Sequence, residues 1–352
     1  MATLKEISER AGVSQGTVSR ILNKDRTLSV SAATRQNVLK IAQELGYKST
    51  LQRQKEAETV NHSDVVIGIA QMFEIEQLQD DIYYMVLKQL VDTECFSLGW
   101  NTIPLYRDRD DGGRFVKNSN VKLDGIIAIG RFTIEEIQSF EKLTPNIVFI
   151  DSSPDESKYN SIVPNYHMAI RYVLNYFEDM GYDRVAYAGA VNTFNGVKKL
   201  TMDPRFYYYK NSMISRDIFD EDLIIECEMN SHSSYEVMNE YIKKHKKPPR
   251  ALFMASDAIA AGIIQSIREN GFLVPEDCNV VTYNNTAFSE GSNPPLDSVE
   301  VYLQESAKDA TYALTRLWDK LMLPRKIVIP CKLVVRGSVR GAVEFSADRS
   351  KA

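Results

Sequence analysis

Residues 14–20 read Ser14-Gln15-Gly16-Thr17-Val18-Ser19-Arg20. An amide and a guanidinium on one short helix suit the edges of bases in a DNA major groove, glutamine pairing with adenine and arginine with guanine. Gly16 offers no side chain, so direct reading rests on Gln15 and Arg20. A second set lies downstream: Asp151, Arg205, Asp257 and Asn284. A carboxylate, a guanidinium and amides converging on a cleft suit the fanned hydroxyls of a sugar, each of which takes a directional hydrogen bond. Plainer roles compete. Asp257 heads a helix and could be its N-cap, Arg205 could pair with a surface carboxylate, and Asp151 alone says nothing.

The elements that must hold the first set are legible. Thr3 followed by Glu6 forms a capping box, so a helix starts at the N-terminus. Ile7 and Ala11 share its buried face, Gly12 allows a sharp turn, and Ser14 caps a second helix whose inner side is Val18, Ile21 and Leu22. Two short helices about a glycine turn make a helix-turn-helix. Ser31 then caps a third helix, with Val38, Ile41, Ala42 and Leu45 at helical spacing and Gly46 as its stop. Residues 49–62 (STLQRQKEAETVNH) are polar and read as a linker.

From Val65 the texture changes to apolar strands alternating with amphipathic helices. The strands are VVIGIA, GIIAIG, IVFID, RVAYAGA, DLIIECE, ALFMA and NVVTY, with helices near 82–94, 134–142, 167–180, 206–216, 233–245, 257–270 and 306–322. Unbroken apolar strands in a βαβα order predict parallel sheets covered on both faces, and so many strands suit two sheets. Ligands of such sheets sit beyond the carboxyl ends of the strands. IVFID delivers Asp151, the segment TMDPRFYYYK carries Arg205, ALFMA runs into Ser256-Asp257, and NVVTY into Asn284.

Composition narrows the function. The 352 residues are 44% apolar and 25% charged, as in ordinary globular domains. No run of eighteen apolar residues predicts a membrane span, and no apolar h-region marks an export signal, so the cytoplasm is expected. The four cysteines and four histidines are scattered, which predicts neither metal site nor disulfide framework. Residues 1–50 hold eight basic and four acidic side chains, a net +4, so the rest of a chain of net charge −5 carries −9. A basic head on an acidic body fits a polyanion-binding module joined to a domain that does not bind polyanions. Neither G-x-x-x-x-G-K-[ST] nor G-x-G-x-x-G occurs, which argues against a sugar kinase with a regulatory head and predicts no cofactor. A transport binding protein is opposed by the head and the absent export signal.

The stretches TLKEISERAGVSQGTVSRILN and VSAATRQNVLKIAQELGY resemble the DNA-reading headpiece of the LacI/GalR family of bacterial repressors. DRVAYAGA, ALFMASDAIAAGIIQSI, PPLDSVEV and LVVRGS resemble its effector domain, a two-lobed fold like periplasmic sugar-binding proteins. The resemblance implies DNA contacts at Thr3, Ser14, Gln15, Gly16, Thr17, Ser19, Arg20 and Asn23, with Tyr47 against the DNA backbone. In the family the linker folds into a hinge helix whose leucine wedges into the minor groove. Here Arg53 fits the arginine of that pattern, but Lys55 or Glu56 stands where the leucine should be, which argues against the wedge. Asp151, Arg205, Asp257 and Asn284 fall on the family's effector contacts, Asn284 where an aspartate is usual. Tyr209 takes the family's packing position, and Phe73 or Tyr84 could stack on a sugar or simply pack in the core. DDIYYMVLKQL, ALFMASDAIAAG and RGSVR look most like repressors of galactoside-utilisation operons.

The expected organisation is therefore α/β: a helix-turn-helix headpiece over 1–48, a linker over 49–62, and an effector domain over 63–340. Its first lobe is expected at about 63–162 and 301–324, its second at about 163–300 and 325–340, with a tail after it. The expected function is a transcriptional repressor, a homodimer on double-stranded operator DNA, controlled by a small sugar such as a galactoside. A non-sugar metabolite or a partner protein could replace the sugar. The tail lacks heptads, which favours a dimer over a tetramer.

Overall fold

Ile7, Val18, Ile21, Val38, Ile41 and Ala42 close a small core, because three helices each turn one apolar face inward. They are α1 (Leu4–Ala11), α2 (Gln15–Leu22) and α3 (Ala32–Glu44). In this computed structural model, residues 4–22, 30–45, 65–73, 82–108, 112–194, 200–318 and 323–341 are described. Thr3, Asn23, Tyr47, Arg53, the linker over 49–62 and the tail after Gly341 lie outside them. Gly12 takes φ +64° in the turn between α1 and α2, a conformation that a side chain would penalise. Ser14 Oγ accepts from the Thr17 N–H at 3.1 Å, and Ser31 Oγ from the Thr34 N–H at 3.1 Å. The caps expected at Ser14 and Ser31 are thus in place.

The chain divides into two compact units, Met1–Asp64 and Val65–Ala352. The second unit is built on two six-stranded sheets. The first sheet draws on β1 (Val66–Gln71), β2 (Asn101–Pro104), β5 (Gly125–Ile129), β6 (Ile147–Ile150), β7 (Asn160–Pro164) and β15 (Lys326–Ile329). Its order is β15-β7-β6-β5-β1-β2, parallel throughout. The second uses β8 (Ala186–Gly189), β11 (Ile224–Glu226), β12 (Ala251–Met254), β13 (Asn279–Tyr283), β14 (Asp297–Glu300) and β16 (Lys332–Val334). Its order is β11-β8-β12-β13-β14-β16, with only β16 antiparallel. Strands β3/β4 (Tyr106–Asp108 and Arg114–Val116) and β9/β10 (Asn192–Phe194 and Leu200–Met202) form two separate ribbons.

Helices α4 (Ile82–Ser97), α5 (Ile134–Leu143), α6 (Tyr166–Asp179), α7 (Pro204–Ser215), α8 (Ser231–His245), α9 (Asp257–Glu269) and α11 (Leu303–Trp318) fall where hydrophobic spacing placed them. The short α10 (Ala287–Gly291) does not announce itself in the sequence. One boundary needs correction. The sequence predicts residues 325–340 in the second lobe, but they do not all belong to it, because β15 pairs with β7, Lys326 opposite Ser161 and Ile329 opposite Pro164. The chain passes to the second sheet only at Pro330-Cys331, between β15 and β16. Pro330 has no N–H to continue a ladder, so one apolar run, KIVIPCKLVV, is split between two sheets.

Candidate functional site

The headpiece presents its reading helix as the spacing required. Val18 and Ile21 are buried, Gln15, Gly16 and Arg20 are exposed, and Thr17 and Ser19 are half-buried. Ser14 and Thr17 share a hydroxyl contact of 2.9 Å at the start of α2. A Cβ added to Gly16 would meet nothing nearer than Ser14 Oγ at 3.8 Å, so packing within the headpiece does not demand glycine there. Alanine at Gln15 should cost about 1–3 kcal/mol at its own base pair. Selection of binding sites by Gln15→Ala checks this, and an unchanged preferred sequence would remove Gln15 from the reading set.

In the second unit, polar side chains meet at the carboxyl ends of both sheets. Asp151 follows β6 at φ +64° and is 7% exposed. Tyr84 of α4 donates to its Oδ2 at 2.5 Å, and Tyr166 of α6 donates to its Oδ1 at 2.8 Å. Burial and then the Asp151 charge push the Tyr166 phenol well above its ordinary pKa, so Tyr166 remains a donor. A carboxylate has about four acceptor sites, so Asp151 keeps capacity for a ligand hydroxyl.

Arg205 is held differently. Asp203 caps α7, Pro204 occupies the first helical turn, and Asp203 Oδ1 accepts from the Arg205 N–H at 2.9 Å. Arg205 Nε donates to Oδ1 at 2.9 Å and Nη2 to Oδ2 at 2.8 Å, a two-pronged pair. Nη1 donates to the Ala255 carbonyl at 2.8 Å, and the guanidinium lies 5.8 Å from the centroid of the Tyr283 ring. Of its five N–H groups, two have no partner among the described residues. Burial opposes ionisation of Asp203, but Arg205 holds its carboxyl below the ordinary value.

These groups border an inner chamber of about 60 Å³, lined also by Phe73, Tyr83, Met229, Tyr283 and Asn284. Asn284, at φ +98°, donates one amide hydrogen to Ser256 Oγ at 3.3 Å. Phe73 packs edge-on against Tyr84 with centroids 5.2 Å apart, so the stacking and packing readings of these rings share one place. An outer vestibule of about 400 Å³ meets the chamber at Arg131, Asp151, Pro164 and Tyr166, which line both.

Four of the five residues expected to contact the effector, Asp151, Arg205, Asn284 and Phe73, thus border one chamber. Asp257 borders neither cavity. Its Oδ1 accepts from Thr282 at 2.8 Å and Ser289 at 2.6 Å, and its Oδ2 from the N–H and hydroxyl of Thr286, each at 2.7 Å. Burial raises its carboxyl above the ordinary value despite these bonds. The cap of α9 is Ser256, not Asp257, which corrects the N-cap reading, and the bonds of Asp257 fasten α10 to β13 and α9.

Sequence reasoning missed Asp203, Tyr166 and Arg131. Asp203-Pro204 is a recognisable helix start, but nothing in the sequence says that the cap also grips Arg205. Arg131 stands directly after the strand GIIAIG, where the carboxyl-end rule directs attention.

The model of bacterial regulatory proteins, lacI family, matches residues 3–49, and that of the periplasmic binding protein-like domain matches residues 174–339. The chain is 30% identical to the HTH-type transcriptional regulator GalR of Streptococcus thermophilus, over 98% of this chain and 100% of that protein. It is also 30% identical to the HTH-type transcriptional repressor MelR of Bacillus subtilis, over 96% and 97%. Among solved structures, a complex of the transcriptional regulator CelR with cellobiose superposes with TM-score 0.66 at 21% identity, covering 96% of this chain and 100% of that one. The lac repressor dimer bound to operator gives TM-score 0.62 at 20% identity, over 96% and 99%.

Proposed function

Because the chain belongs to the lacI family of bacterial regulatory proteins, we propose that it represses a sugar-utilisation operon and that a neutral sugar in the cleft between the two sheets controls its hold on the operator. It is a DNA-binding transcriptional regulator and not an enzyme. The observation that carries the sugar reading is the pairing of Asp151, oriented by two tyrosines, with Arg205, fixed by Asp203, at one small chamber. Directional donors and acceptors on rigid partners are what a ring of hydroxyls requires. The stretches DDIYYMVLKQL, ALFMASDAIAAG and RGSVR, which resemble repressors of galactoside-utilisation operons, favour a galactoside.

A homodimer is the expected form on DNA, and its two-fold axis calls for a near-palindromic operator. No helix among the described residues is long and apolar enough to cross a membrane.

The test has two arms. Galactose, lactose, melibiose, glucose and cellobiose are screened for thermal stabilisation of the full chain. Operator affinity is then titrated with and without any stabilising sugar. A sugar that raises the melting temperature and weakens operator binding identifies an inducer. Stabilisation by none of them, alongside intact operator binding, would remove the sugar reading and turn the search to a non-sugar metabolite or a partner protein.

A further inference from the structure

We propose that the outer vestibule takes the second ring of a neutral glycoside, and that Arg131 reads this ligand at the junction of the two chambers. The proposal rests on the reading of the cleft as a sugar site and adds the size and charge of the sugar.

Size comes first. The inner chamber, at about 60 Å³, falls far below the roughly 300–1,000 Å³ of small-molecule sites, whereas the vestibule, at about 400 Å³, falls within that range. A ligand held by Asp151 and Arg205 therefore has most of its room on the far side of Arg131. The vestibule wall offers what a sugar ring uses, with the rings of Tyr207 and Tyr208 for its C–H faces and the hydroxyls of Ser152 and Thr201 for its edges.

Charge comes second. Arg131 is half-buried, and its guanidinium has no hydrogen-bond or ion-pair partner among the described residues. Its backbone N–H alone is engaged, with Met72 Sδ at 3.2 Å. Burial is the largest influence and opposes its charge, but Asp151, Tyr84, Tyr166 and Asp203 together outweigh it and hold the guanidinium above its ordinary pKa. The other cations of the two chambers are matched, Arg205 by Asp203 and Lys326 by Glu156 at 2.8 Å. Arg131 and Asp151 face the same junction without touching, so the pair is balanced in charge and open in geometry. A neutral hydroxyl compound can accept from Arg131 and donate to Asp151 together. A phosphorylated or carboxylated sugar would satisfy Arg131 and set a second negative charge beside Asp151, which is unfavourable in a partly desolvated site.

The experiment is calorimetric titration of the full chain with galactose and glucose, with lactose, melibiose and cellobiose, and with galactose 6-phosphate. At least one two-ring sugar should bind ten-fold or more tightly than its component single rings and than the phosphate. Arg131→Met should reduce that preference by ten-fold or more. Val328→Trp, at a vestibule position 46% exposed on β15, should erase it by filling the outer space, and its exposure keeps the test independent of folding at Arg131. Equal affinity for single-ring and two-ring sugars would overturn the proposal and leave the sugar reading standing. Tighter binding of the phosphate, or wild-type preference in both variants, would overturn it also. Failure of every sugar would remove the sugar reading and this proposal with it.

Discussion

Asp203→Ala is expected to destabilise the second unit by about 3–5 kcal/mol, the cost of leaving one partner of a buried ion pair unmatched. Asp203 is 1% exposed and meets Arg205 through two parallel hydrogen bonds as well as capping α7. Arg205→Ala strands a buried carboxylate and should cost a similar amount. The double variant removes both charges and should lose less than the two single losses combined. Denaturant melts of the four proteins at neutral pH measure this coupling, and strictly additive losses would show that the pair acts as two independent side chains. It follows that loss of effector binding in Arg205→Ala alone does not identify a ligand contact, since the chamber wall goes with the arginine. Arg205→Lys keeps the charge but not the fork, and is the better probe of recognition.

The same pair sets an acid limit. The folded-state pKa of Asp203 lies below the ordinary 3.8. Its contribution is therefore complete above the unfolded-state value and disappears as pH falls through the lower folded-state value. Below about pH 4 the wild-type chain should lose stability more steeply than the double variant. Parallel loss in the two would place the acid-sensitive group elsewhere.

Much of this was legible from residue order because the governing physics is local. Caps at Ser14 and Ser31, the glycine turn at Gly12 and the faces of α1 to α3 depend on neighbours within four positions. The long helices of the second unit followed from apolar spacing, and the carboxyl-end rule placed Asp151, Arg205 and Asn284 by a cleft. What escaped depends on partners far along the chain. β7 reads NSIVP and is buried throughout, yet only two of its residues are strongly apolar. β15 belongs to the first sheet through pairing with residues some 165 positions earlier. The hydroxyl of Tyr166 reaches Asp151 only because the crossover after β7 brings the start of α6 beside the end of β6. A resemblance can carry residue types across such distances, but it does not tell whether a carboxylate faces a cavity or a ring of hydroxyls.

Asp257 is where resemblance and geometry part, and its replacement separates them. Alanine there would leave Thr282 Oγ1, Ser289 Oγ, and both the hydroxyl and N–H of Thr286 without their acceptor. Bonds to a charged group contribute about 1.5–3 kcal/mol each, and the hydroxyls can turn to other acceptors while the Thr286 amide cannot. The net loss is expected on the order of 4 kcal/mol, seen as a fall in melting temperature on the order of 10 °C. Asp257→Asn keeps the shape and one acceptor oxygen but turns an NH2 toward the donors, so it should be destabilised to a lesser degree. Because Asp257 borders neither cavity, effector affinity measured well below the melting temperature of Asp257→Asn should stay within about three-fold of wild type, under 1 kcal/mol. Were Asp257 instead a sugar contact, the same variant would keep its melting temperature and lose ten-fold or more in affinity. Two measurements on one protein thus decide between a clamp beneath the site and a ligand within it.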